Sequence, residues 1–174
     1  MPRQDLPPLT DPRWLEIARS YVGLTEIPGP KHNPTILRWL DRLKAPFRDD
    51  ETPWCGTFIG GVFDEAGMPY IPNPWGARNW LKYGKDLPAP AYGALVVFWR
   101  GSKSGWSGHV GFVVGKDRKG NLMVLGANQQ NMVRIDPFGR DRVLGYRWPT
   151  IWPRPERFDL PLVDSDGKVS TNEA

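Results

Sequence analysis

The chain is poor in metal-binding and cross-linking residues: it has one cysteine, Cys55, and two histidines, His32 and His109. A single cysteine excludes an internal disulfide. With two histidines it falls short of the usual structural zinc sets, so neither a metal nor a cofactor is expected and packing must supply the stability. Long apolar runs are also missing. Ala94 to Trp99 is about a third of the roughly 18 residues that a membrane-spanning helix needs, so no bilayer insertion is expected. The start, Met1-Pro2-Arg3-Gln4-Asp5-Leu6-Pro7-Pro8, lacks the apolar stretch of a secretory signal, which predicts synthesis in the cytoplasm and delivery outward by other means. The 23 Lys plus Arg against 19 Asp plus Glu leave a formal charge of +4, which favours anionic partners. No basic run or nucleic-acid motif selects nucleic acid among them.

What is present is enough for one core: 174 residues, 40% of them hydrophobic, with nine Trp. Residues 1–10 are Pro-rich and polar and read as a flexible arm. Residues 153–174 lack apolar periodicity and read as a disordered or loosely docked tail. The domain between them, 11–152, changes period halfway. Asp11-Pro12 and Asn33-Pro34 each pair a polar cap with Pro at the first helical position, ahead of apolar residues at helical spacing. Thr52-Pro53 predicts a third helix of the same kind, with Trp54 and Cys55 second and third in it and a stop at Gly67. A short helix around Trp75 to Tyr83, ended by Gly84, is expected next. Five segments then read as strands: 94–99, 109–114, 122–125, 132–135 and 143–148. Short links between them predict an antiparallel sheet. The fold class is α+β, with the helices first and the Cys55 helix packed on the sheet.

A cysteine attacks a carbonyl as its thiolate, and the first turn of a helix supplies the positive potential that favours one. Cys55 in that turn is therefore a candidate nucleophile with a lowered pKa, and its own amide is a candidate oxyanion donor. His109 opens a strand behind a Gly- and Ser-rich loop and is the candidate base. If Asp117-Arg118-Lys119-Gly120 forms a four-residue turn, Lys116 pairs with Asn121, and by the same count His109 faces Asn128. Directly paired residues have Cβ atoms about 4.5–5.5 Å apart, within reach of a side-chain hydrogen bond. Asn128 is thus the expected orienting residue. The same register puts Gly111 and Gly126 on the His109 face, where the Cys55 helix is expected to approach, and Val110 and Phe112 on the opposite face.

These segments resemble a known group. Asp50-Glu51-Thr52-Pro53-Trp54-Cys55-Gly56-Thr57-Phe58, Gly93-Ala94-Leu95-Val96-Val97-Phe98, Gly108-His109-Val110-Gly111-Phe112 and Leu125-Gly126-Ala127-Asn128-Gln129 are similar to papain-like cell-wall cysteine hydrolases, both NlpC-type peptidases and cysteine, histidine-dependent amidohydrolase/peptidase (CHAP) domains. The resemblance spans roughly residues 12 to 150 and is strongest to small phage or prophage members, which end in a segment like Leu144 to Pro149. It implies a papain-like fold and a peptidoglycan hydrolase, either peptidase or amidase, acting in lysis or on a virion and monomeric unless part of one. Many CHAP members carry Glu two residues before the Asn, and here that place is Gly126, so Asn128 orients His109 alone or Gln129 or a water helps.

Two other classes remain open: a non-catalytic wall-binding or tail-structural module, and a cysteine acyltransferase or peptidase acting on protein. Trp54, beside the nucleophile, and Trp106, in the loop before His109, are candidate substrate-binding rings. His32 is expected to meet solvent. Asp49-Asp50-Glu51 is expected to complement a helix dipole, and Glu26 reads as a solvated loop carboxylate.

Overall fold

The computed structural model describes residues 10–150 and 157–171. Most of the expected N-terminal arm therefore lies outside the described residues. Helices α1 (Arg13–Ser20), α2 (Pro34–Arg42) and α3 (Cys55–Glu65) come first, followed by a 3-10 helix, Ala77–Lys82. Six strands follow: β1 (Lys85–Leu87), β2 (Leu95–Trp99), β3 (Gly108–Lys116), β4 (Leu122–Gln129), β5 (Met132–Phe138) and β6 (Val143–Trp148). They form one antiparallel sheet in the order β1-β6-β2-β3-β4-β5.

The helix starts follow local hydrogen bonding. Asn33 caps α2 as its pattern predicts, its side chain accepting from the Thr35 N–H at 2.9 Å with Pro34 behind it. At α1 the cap is Pro12 rather than Asp11, because the Asp11 carboxylate is drawn to Arg19, 2.7 Å away. The largest difference is at α3. Its cap is Trp54, and Cys55 is its first helical residue rather than its third. The carboxylate of Asp49 accepts the Thr52 N–H at 2.6 Å, closing a turn that delays the helix by two residues.

Helix α3 is buried on every side from Cys55 to Phe63. Gly61 lies under the Trp39 ring, where an added Cβ would come within 2.5 Å of Cδ1, so α2 packs directly on the α3 backbone. On its other side, Phe58 and Phe63 meet Phe112 of β3 at ring separations of 6.3 and 5.9 Å. The helix thus covers the sheet face that carries Val110 and Phe112, not the His109 face expected from the sequence. A second, smaller core on the far face joins Val96, Phe98, Val113, Val124, Phe138 and Leu160. Part of the C-terminal segment lies along the sheet: Val163 donates to the Lys116 carbonyl at 2.8 Å, and Ser170 to that of Pro137 at 2.8 Å.

Candidate active site

Cys55, at the start of α3, reaches the strand that carries His109, next to that residue in sequence at Val110. Along β3, Val113 turns both its N–H and its C=O to residues 94 and 93 on the β2 side. By alternation, Val110 and Phe112 point theirs toward β4. The β3–β4 ladder ends at the Phe112–Leu125 pair, so the Val110 N–H lies beyond its last rung. That amide serves the Cys55 sulfur instead, together with the amides of Gly56 and of Cys55 itself. The first hydrogen bond of α3 runs from the Phe58 N–H to the Trp54 carbonyl at 2.9 Å. The Cys55, Gly56 and Thr57 amides therefore have no acceptor within the helix, and they form a donor-rich first turn at the sulfur. Burial nevertheless pushes the Cys55 thiol up from its ordinary value, against those amides and the charge of Arg100. The lowered value expected from helix position alone is overturned, because the site excludes the water that would solvate an isolated thiolate.

The imidazole of His109 is fully buried on the far sheet face, stacked 5.4 Å from the Phe138 ring and 6.3 Å from that of Phe98. Its Nε2 lies 3.0 Å from Oε1 of Gln129. The side-chain oxygen placed at His109 Nε2 is therefore that of Gln129, where the register count points to Asn128. The turn is one residue longer than the count assumes, since Lys116 pairs with Leu122, but a bulge between Val113 and Gly115 restores the predicted pairing at Phe112. The decisive irregularity comes later. Between Gly126 and Gln129, β4 carries one extra residue relative to β5, and Asn128 sits in the left-handed region at φ +58°. A one-residue bulge exchanges the faces of everything after it, which moves Gln129 to the His109 side. Gly126 makes the room: a Cβ there would lie 2.3 Å from the Gln129 Oε1 and 3.3 Å from the His109 Nε2. The Gln129 amide thus fills the space above the position where many CHAP members carry Glu.

The amide's orientation follows from its surroundings. The Gln129 Nε2 faces three acceptors: the Arg134 carbonyl at 3.0 Å, Oδ2 of Asp136 at 3.2 Å and the Val124 carbonyl at 3.3 Å. Only an NH2 group suits that set, so the oxygen must face His109. An amide oxygen accepts, and so the His109 Nε2 carries its proton there. Nδ1 is then the ring nitrogen without a proton.

The remaining candidates separate. Trp54 is 1% exposed and donates its indole N–H to Glu26 at 2.8 Å, so it presents no ring face to a ligand. Glu26 is not simply solvated: burial raises its carboxyl above the ordinary value despite that bond, and Asp50 and Glu51 add to the rise. Trp106 is 90% exposed. Its loop is held by Arg78, which donates to the carbonyls of Ser107 at 2.8 Å, Lys103 at 2.7 Å and Ser102 at 2.7 Å. Asp50 serves the start of α2, through the amide of its cap Asn33, and not that of α3. It is fully buried, accepts from the amides of Ile27 and Asn33 at 2.8 and 2.7 Å, and holds His32 Nδ1 at 2.9 Å. His32 is accordingly tied to a carboxylate, contrary to its expected solvent role. Gln129 was within reach of the sequence as the neighbour of Asn128, but no residue pattern signals a bulge inside an apolar strand.

Residues 47–128 match the model of the CHAP domain, and the match stops one residue short of Gln129. No curated protein matches the chain. Among solved structures, one from Staphylococcus aureus, described as similar to a lipoprotein of the NLP/P60 family, superposes with a TM-score of 0.47 at 16% identity, covering 90% of this chain. The chain spans 45% of that protein's length. Residues 47–128, 82 of the 174 residues, are thus similar to the cysteine, histidine-dependent amidohydrolase/peptidase domain.

Proposed function

We propose that the protein is a peptidoglycan hydrolase that cleaves a peptide or amide bond of the bacterial wall, with Cys55 as nucleophile, His109 as base and Gln129 as its orienting residue. The observation that carries this reading is the Gln129 Oε1 contact with His109 Nε2 at 3.0 Å, on the strand whose Val110 amide holds the Cys55 thiol. Because burial raises the thiol, it ionises by passing its proton to His109 Nδ1 rather than to water. The resulting thiolate attacks the carbonyl carbon, and the amides of the first turn of α3 receive the oxyanion. The imidazolium then protonates the leaving amine, and water hydrolyses the thioester to release the acid and restore the thiol. Trp106, on its Arg78-braced loop, is a platform for substrate outside the buried centre. A role in phage or prophage lysis, or on a virion, is the setting favoured by the Leu144 to Pro149 resemblance.

The test is product analysis after digestion of chemically defined peptidoglycan. A new amine and a new carboxylate at one wall linkage are expected from the wild type and from neither Cys55→Ala nor His109→Ala. Expression should be tolerated in a bacterial cytoplasm and should lyse or deform the cell once an added signal routes the protein to the periplasm. Cleavage by folded Cys55→Ala, or a protein substrate cut in place of the wall polymer, overturns the proposal.

A further inference from the structure

The group that fixes Gln129 lies one strand farther out. Asp136 on β5 is 5% exposed and places Oδ2 3.2 Å from the Gln129 Nε2 and Oδ1 3.0 Å from the Arg134 Nε. Arg134 in turn donates to Oε1 of Gln130, 2.7 Å away in the β4–β5 turn. A buried carboxylate in the middle of such a chain is costly unless each oxygen is used, and here both are. Backbone carbonyls alone could anchor the Gln129 NH2 group. What Asp136 adds is negative charge aligned with the amide dipole, whose oxygen end faces the imidazole.

We propose that Asp136 is a positioning residue for the Cys55–His109 pair, acting through the Gln129 amide to hold His109 in its Nε2–H tautomer and to stabilise the imidazolium. The inference rests on the reading of His109 as base. Other charges facing this region are Arg134 on the same strand and, from the C-terminal segment, Asp164, Asp166 and Lys168, which line a common cavity with Asp136. Arg134 offsets part of the charge, and the three tail groups are spread over both signs. Stabilising the imidazolium shifts the internal proton transfer toward thiolate and imidazolium, so the thiolate population at neutral pH depends on Asp136. At strongly alkaline pH the thiol ionises without help and the dependence vanishes.

The test is the rate of Cys55 alkylation by iodoacetamide against pH, which needs no wall substrate. In Asp136→Asn, which keeps the volume and one acceptor oxygen, the pH at which labelling rises should move upward by about half a unit or more. That is the scale on which charged and neutral hydrogen bonds differ. Labelling should converge with wild type at high pH, and Asp136→Glu should recover part of the shift. In Asp136→Ala the 15N spectrum of His109 should show a weakened preference for Nε2–H. If folded Asp136→Asn leaves the limb unmoved while His109→Ala moves it, or if labelling falls equally at every pH, Asp136 is structural only and the inference is overturned. If His109→Ala does not move the limb either, the Cys–His pair falls with it.

Discussion

Gln129 reaches His109 because β4 holds one more residue than β5 between Gly126 and Gln129; the extra residue turns the Gln129 amide over, to rest 3.0 Å from the imidazole. Asn128, one position earlier, takes up the left-handed backbone of the bulge instead.

This relationship predicts an order of effects. Gln129→Ala should lower wall hydrolysis by about 10- to 100-fold, as for other groups that orient a reactive side chain. Losing His109 should cost more, on the order of 10²–10⁴-fold. Asn128→Gly, which keeps the left-handed backbone available, should retain most activity. Turnover measured on purified wall checks the series, and a greater loss in Asn128→Gly than in Gln129→Ala would contradict the arrangement.

Two glycines should separate fold from chemistry. At Gly126 an added methyl would lie 2.3 Å from the Gln129 Oε1, a side-chain atom that can move, so Gly126→Ala should displace the amide and reduce activity while the protein stays folded. At Gly56 the obstacle is backbone: the Pro74 carbonyl oxygen would lie 2.3 Å away and that of Trp75 3.0 Å away. Gly56→Ala should destabilise by about 1–3 kcal/mol or more, read as a lowered Tm.

Acid stability should depend on Asp50. Burial alone would raise its carboxyl, but the amides of Ile27 and Asn33 and the His32 ring together hold it below its ordinary value. A depressed folded value means that this contribution is complete above the unfolded value of about 3.9 and is lost as the pH falls through the folded one. Thermal melts should therefore drop below about pH 4 in the wild type. Asp50→Asn should be less stable at neutral pH and show a flatter acid limb.

Trp106 offers a test of substrate contact without a folding complication. With 90% of its surface in solvent, Trp106→Ala should leave the unfolding free energy within about 0.5 kcal/mol of wild type and raise KM with little change in kcat. An unchanged KM would remove the ring from the substrate path.

Much of this could be read from residues alone, where the signal is local. Asn33-Pro34 announces the start of α2 because cap and proline act within one turn. Gly67 ends α3 because its φ of +69° favours a residue without a side chain. The Thr52-Pro53 pair resembles the Asn33-Pro34 pair yet does not start a helix, since Asp49 competes for the Thr52 amide. Strand β1, only Lys85–Leu87, has too few residues to show alternation and exists by pairing with β6. The count reaches the Phe112–Leu125 pair because a longer turn and the first bulge cancel, while the second bulge has no compensator and brings the next residue, Gln129, to the imidazole. Cys55 and His109 were legible as residue types in context. The burial that raises the thiol was not, because it comes from layers distant in sequence.

The Val110 amide, left without a ladder partner and bonded to the sulfur, gives the molecule an internal spectroscopic indicator. Its 1H–15N resonance should move when the thiol ionises and again when an acyl group occupies it. A backbone signal two strands from the sheet edge would then follow each stage of turnover without any label on the substrate.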